Sequence, residues 1–323
     1  MKKISVVLLA LILVLAMAGC NKPQVKTEAE LAQQREKYGD YANGDKILSA
    51  LEAKELIDGG GNIVIVDVTK STDYLLGHIE GAVNVWRPDY SADSGDYSYG
   101  GMRASREKMA SLLGSLGADK DTKFIVYSNN HNYDATRFIW QLELFGHEDA
   151  VLIDGGLQGW KASGLSTTTA KPSVTAREYE FPGKIDESIL ATVEDVKAAI
   201  NDGNVVIWDT RAEDEYTGAK QLDGAFRKGA IPSSVWMEYT HLIHSGSGED
   251  STFKTAAEMK ALLEAKGITP DKTIIPYCQS GVRSSLAYTA LKMLGYENVK
   301  NYDGSWIEWS YDENLPIEIG VVK

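Results

Sequence analysis

The chain repeats itself at a spacing of roughly 150 residues, too long for a solenoid and right for duplicated domains. Met109-Ala-Ser-Leu-Leu-Gly-Ser-Leu-Gly117 aligns with Met259-Lys-Ala-Leu-Leu-Glu-Ala-Lys-Gly267, both with apolar residues at helical spacing. In the second copy Thr255 and Glu258 form a candidate capping box at the helix start. Each helix runs into a short apolar stretch, Phe124–Tyr127 and Ile274–Tyr277, then a polar loop and a further helix, Ala135–Phe145 and Ser284–Leu294. Both copies then reach a strand closing on Asp-Gly, at Asp154-Gly155 and Asp303-Gly304, with Trp160 and Trp309 following. Upstream, Ile63–Asp67 matches Val205–Asp209, and these near-continuous apolar runs suit a parallel sheet covered on both faces. Strands alternating with helices predict an α/β architecture twice over.

The ends of the copies set the expected organisation. Residues 47–165 form the first domain, 166–189 a Ser/Thr/Pro-rich linker, and 190–323 the second domain. Ahead of them, Lys2 and Lys3 precede an apolar run from Ile4 to Ala18, short of the roughly 20 residues a membrane span needs. A charged start, an apolar run and the small residues of Met17-Ala18-Gly19-Cys20 make a secretory signal over 1–19. The cysteine at the cut resembles a bacterial lipobox. That resemblance implies lipidation of Cys20, a polar tether over 20–46 with a short helix near Glu28–Lys37, and an extracytoplasmic protein held at a membrane.

The formal charge of −13 gives a surface that repels phosphate backbones, which argues against nucleic-acid binding. It also requires any anionic substrate to find a local cationic pocket. The two cysteines, Cys20 and Cys278, are too few for a disulfide framework. The histidines His78, His131, His147, His241 and His244 form no plausible ligand set with them, so no metal is expected. Gly59-Gly-Gly61 precedes a strand where phosphate-binding glycines would follow one, and no cofactor is expected.

In an open parallel sheet, ligands bind beyond the carboxyl ends of the strands. In the second copy that place reads Cys278-Gln279-Ser280-Gly281-Val282-Arg283-Ser284. A cysteine at a strand end facing a helix N-terminus sits in a field that favours its thiolate. A short loop containing glycine can turn successive N–H groups inward around an anion. Arg283 adds a fixed charge, suited to sulfur oxyanions or to holding the loop.

Cys278-Gln-Ser-Gly-Val-Arg283 resembles the active-site loop of rhodanese-family sulfurtransferases. Gly77-His-Ile-Glu-Gly-Ala82 resembles the Gly-His-Ile-Pro-Gly-Ala signature of rhodanese domains, and Arg227–Trp236 is a degraded copy with Ala230 replacing His. Asp303-Gly-Ser-Trp306 is similar to the C-terminal segment of two-domain thiosulfate and mercaptopyruvate sulfurtransferases. The resemblance spans roughly Ile47 to Ile319. It implies two tandem rhodanese-like domains, each a parallel sheet with helices on both faces, and an active cysteine only in the second.

Ser128 stands where Cys278 does, in a loop read as one residue longer, so the first domain is expected to be silent and to supply a wall of the cleft, with His131 an exposed loop residue. The implied reaction moves sulfur from a small anionic donor such as thiosulfate to cyanide or a thiol through a Cys278 persulfide. The amides of Gln279 to Ser284 are expected to cradle the charge. Arg211 sits where the family places a substrate-binding arginine, or else pairs at the surface with Glu213 or Glu215. Arg227 and Lys228 are further candidates for the cationic pocket, and Trp306 lines the cleft or joins the core. Mercaptopyruvate and polysulfide are alternative donors, the latter because the protein is expected outside the cytoplasm. A non-enzymatic sulfur carrier needs the same loop. Cysteine-dependent phosphatases use a loop one residue longer, because phosphate demands a wider cradle.

Overall fold

The computed structural model describes residues 28–322 except 247 and 249; the expected signal segment 1–19 and Cys20 lie outside the described residues. Each repeat folds as anticipated, around a parallel sheet. The strands are β1 (Ile47–Leu48), β2 (Ile63–Val68), β3 (Val83–Val85), β4 (Lys123–Tyr127) and β5 (Ala150–Ile153) in the first domain. The second domain has β6 (Leu190–Ala191), β7 (Val205–Asp209), β8 (Val235–Trp236), β9 (Thr273–Tyr277) and β10 (Asn301–Tyr302). The first sheet runs β1-β5-β4-β2-β3. In the second, β8-β7-β9 and β10-β6 join through the parallel Ile274–Val299 bridge, which restores the same order.

The helices are α1 (Glu28–Gly39), α2 (Ala50–Gly59), α3 (Ser71–Tyr74), α4 (Arg106–Ser115), α5 (Tyr133–Leu144), α6 (Gly156–Ala162), α7 (Val193–Ala199), α8 (Glu213–Tyr216), α9 (Ala256–Ala265), α10 (Arg283–Met293) and α11 (Ser305–Tyr311). Successive strand side chains alternate between faces. Phe124 and Val126 of β4 therefore pack with α4 and α5, and Ile125 and Tyr127 pack with α2 and α6. The second sheet does likewise, burying Ile207 and Ile275 with α7 and α11. The capping box at Thr255 and Glu258 forms, and Ser49 and Glu52 make another at the start of α2.

The two domains share a core. Helices α5 and α10 pack against one another, and one apolar cluster runs from Phe124 and Phe138 of the first domain to Trp208, Ile274 and Leu286 of the second. The contacts across this seam follow the repeat. The main chain at Phe253 crosses over to donate to Asp154 Oδ1 (2.9 Å), and that at Arg103 crosses the other way to Asp303 Oδ2 (3.4 Å).

The segment expected as a tether over 20–46 docks in its last part. Tyr38 and Tyr41 are buried, Tyr38 Oη donates to Asp154 and Lys37 Nζ bridges Asp154 to the carbonyl of Phe253, so this strap holds both domains. The linker also lies down, with Thr168 bridged to His78 and the Tyr179 hydroxyl 2.8 Å from His147 Nδ1. No helix among the described residues is long and apolar enough to cross a membrane.

Candidate active site

β9 delivers Cys278 to the carboxyl edge of the second sheet, and α10 begins at Arg283. The loop between them curls because two of its amides share one acceptor. Ser305 Oγ accepts from Cys278 N (3.1 Å) and Gly281 N (2.9 Å) while donating to the carbonyl of Tyr302 (2.7 Å). Gly281 has a φ of 73°, and a Cβ there would lie 2.7 Å from the Asp303 carbonyl, so glycine is required. Asn301 Nδ2 fixes the Gly281 carbonyl at 3.1 Å, and its Oδ1 accepts from the Ser284 hydroxyl.

The thiol of Cys278 is almost wholly buried. Burial pushes its pKa up, but the Arg283 charge and the N–H groups of Ser284 and Ser280 outweigh that, and the thiol is held below its ordinary value. The cradle is thus narrower than the expected run from Gln279 to Ser284, because Gly281 spends its amide on Ser305. Gln279 points outward, its Nε2 donating to the Asp223 carbonyl at 3.3 Å.

The two arginines do not offer open cationic sites. Arg283 holds the loop instead of reaching outward: Nη1 and Nη2 lie 2.6 and 2.8 Å from the Glu215 carboxylate at the end of α8. Arg211 is buried and makes no surface bridge to Glu213 or Glu215. It grips Asp209 through Nε and Nη2 (2.6 Å), donates to the Gly229 carbonyl and stacks 4.6 Å from the Trp306 ring. Tyr277 Oη completes the Asp209 carboxylate at 2.6 Å. Arg227 is occupied in closing α11, donating to carbonyls of Trp309, Ser310, Asp312 and Leu315. Lys228 is exposed, and Trp306 belongs to the core.

The first domain reaches into the site. Tyr133 meets Tyr239 edge-to-face at 5.7 Å, and both rings lie in the field of Arg283. Burial first, and the Cys278 charge to a lesser degree, push the Tyr239 phenol up. His131 is half-buried with its ring 6.4 Å from Tyr239, so it is a seam residue and not the exposed loop residue expected. Burial holds its imidazole below the usual range.

Ser128 occupies the place of Cys278, and the loop there is not longer, since α5 starts as far beyond Ser128 as α10 does beyond Cys278. The chemistry differs. Asn132 Oδ1 takes the Ser128 amide (3.0 Å), and Asn130 Oδ1 accepts from the Ser128 hydroxyl (2.7 Å). Gly156, the counterpart of Ser305, has no room for a side chain, because the Ser128 carbonyl and Asn132 Oδ1 already fill the space. Thr69 stands where Arg211 does, so the buried Asp67 lacks a guanidinium, and burial pushes its carboxyl up. No group of His, Cys, Asp and Glu able to hold a metal occurs among the described residues.

Comparison with known proteins agrees with this fold. Residues 49–163 and 192–312 each match the rhodanese-like domain, and the chain belongs to that family. Among its relatives, the sulfur carrier protein TtuD of Thermus thermophilus is 37% identical over 76% of this chain and 87% of its own. A thiosulfate sulfurtransferase of Pseudomonas aeruginosa is 31% identical over 81% of this chain and 93% of its own. In fold, the chain is similar to the anaerobic ergothioneine biosynthesis enzyme of Chlorobium limicola, with a TM-score of 0.77 at 23% identity over 87% of this chain and 72% of that one. The chain thus carries two tandem rhodanese-like domains and falls within the sulfurtransferase family.

Proposed function

We propose that the protein is a thiosulfate sulfurtransferase in which Cys278 carries sulfur as a persulfide. The observation that carries this reading is the buried thiol of Cys278, held below its ordinary pKa by inward amides and the Arg283 charge. Its thiolate attacks the outer sulfur of thiosulfate. The S–S bond breaks, sulfite leaves with the bonding pair, and a Cys278 persulfide anion remains. The Ser280 and Ser284 amides stabilise the spread charge as an oxyanion hole would. Cyanide or an acceptor thiolate then attacks the terminal sulfur and regenerates the thiolate.

Substrate binding by the loop residues Gln279, Ser280, Gly281, Val282 and Ser284 is part of the proposal; Arg211 and Arg283 act through the local field and the shape of the loop. The name of the Thermus relative favours a second reading, a sulfur carrier that hands its persulfide to a protein partner. We further propose, on the sequence of the first residues, that lipidation of Cys20 anchors the protein outside the cytoplasm.

Turnover separates the enzymatic reading from the carrier. Incubated with thiosulfate and excess cyanide, the protein releases sulfite and thiocyanate continuously, and Cys278→Ser releases neither. One equivalent of sulfur loaded and no turnover indicates the carrier. Hydrolysis of p-nitrophenyl phosphate without sulfur uptake indicates phosphatase chemistry instead.

A further inference from the structure

The cysteine belongs to the second domain, yet the turn that shapes its loop is gripped from the first. Asp303 is buried at the end of β10, two positions before Ser305, whose hydroxyl gathers the amides of Cys278 and Gly281. Its Oδ1 is bound by Arg137 Nη2 of α5 in the first domain, and its Oδ2 by Arg103 Nη1 at 3.0 Å. Arg137 is itself buried, lies 4.7 Å from the Trp140 ring, and sends Nη1 towards the Gly281 carbonyl at 3.4 Å. The chain of contacts therefore runs from two first-domain cations through one carboxylate to the Ser305 turn, with a direct contact onto the loop.

The pseudo-equivalent carboxylate in the first domain, Asp154, is held differently. It takes Lys37 and Tyr38 of the strap, and no arginine. The arginine pair sits only on the side that carries the thiol.

We propose that Arg137, assisted by Arg103, is a positioning residue for sulfur transfer. By fixing Asp303 and the Gly281 carbonyl, it sets the Ser305 turn that aims the Ser280 and Ser284 amides at the sulfur, and so ties thiolate formation to the silent first domain. Neither arginine touches the reacting sulfur. A buried ion pair is weak ground for stability but suits fixing one geometry. The inference rests on Cys278 as the sulfur carrier.

The test uses the full chain, with Arg137→Gln, Arg137→Lys, the milder Arg103→Gln and the seam control Tyr288→Phe, which removes only a hydroxyl bond to Glu143. The first readout is the pH dependence of Cys278 alkylation by iodoacetamide, followed on its own peptide by mass spectrometry. The second is the rate of sulfur uptake from thiosulfate. Arg137→Gln is expected to move the alkylation midpoint towards that of an ordinary thiol and to slow uptake near neutral pH by about tenfold, as a shift of one pKa unit would. Arg137→Lys recovers part of the loss, Arg103→Gln moves both readouts the same way by less, and Tyr288→Phe moves neither. If Arg137→Gln does not fold, Arg103→Gln decides. Midpoint and rate unchanged in the folded variants, whatever their melting temperatures, would overturn the proposal. Failure of the wild type to take up sulfur would instead refute the carrier role, and the alkylation midpoint would still report on the positioning.

Discussion

Arg283 and Glu215 form a two-point ion pair, Nη1 to Oε2 at 2.6 Å and Nη2 to Oε1 at 2.8 Å, at the mouth of the loop that holds Cys278. The arginine is the largest single influence lowering the thiol pKa, so its partner carboxylate partly offsets that field. Substitutions at the two positions should have opposite signs. Arg283→Met moves the acid limb of the rate of sulfur uptake to higher pH, and Glu215→Gln moves it to lower pH. Uptake followed from pH 5 to 9 in both variants checks this, and shifts in the same direction would show that loop shape dominates over charge.

The wild-type profile follows from the same thiol. Its folded pKa is depressed, so the reactive thiolate is present above that value and is lost as pH falls through it. Folding stability carries the same sign. The thiolate contribution is full above the unfolded thiol value of about 8.5 and disappears as pH falls through the folded pKa. Chemical denaturation at several pH values should show this slope in the wild type and its absence in Cys278→Ser.

Arg211 separates binding from structure. Its bidentate pair with Asp209 is buried, and removing one partner of such a pair costs about 3–5 kcal/mol. Arg211→Ala should therefore lower the denaturation midpoint strongly, with a smaller change in the thiosulfate KM of the folded protein. Unchanged stability with a raised KM would place Arg211 on the substrate.

A thiol should not be enough to rescue the first domain. The Asn130 carbonyl oxygen faces the Ser128 hydroxyl, Asn132 fills the place of the Ser305 turn, and Tyr133 stands where Arg283 would. The Ser128→Cys/Cys278→Ser double variant should remain free of sulfur after thiosulfate and alkylate with an ordinary thiol midpoint. Sulfur uptake by that variant would show that the loop alone suffices.

The repeat, the strands and the Cys278 loop were legible because each is written in a continuous stretch: apolar runs at strand length, helix periodicity, and a thiol beside Gly281 and Arg283. The partners that tune the loop were not. Glu215, Ser305, Asp303 and Arg137 come from α8, α11, the end of β10 and the other domain; Asp303 and Ser305 fall in the recognised Asp303-Gly-Ser-Trp306 motif, but nothing local marks any of the four as a neighbour of Cys278. Ser305 left one trace, since the aligned Asp-Gly turns differ as Gly156 against Ser305 just where Ser128 differs from Cys278. For Arg211 the sequence leaves substrate binding and a surface pair with Glu213 or Glu215 both open, because it does not show that Asp209 is buried beside it. The first loop read as longer because Tyr133 and Asp134 look like loop residues in sequence, whereas they form the first turn of α5 behind Asn132.

The Cys278 persulfide is to be sought by intact mass of a soluble form spanning residues 21–323, before and after thiosulfate, with Cys278→Ser alongside. The expected result is a gain of one sulfur atom in the wild type, none in the variant, and its discharge by cyanide as thiocyanate. No gain from thiosulfate, polysulfide or mercaptopyruvate, or an equal gain in the Cys278→Ser variant, would contradict it.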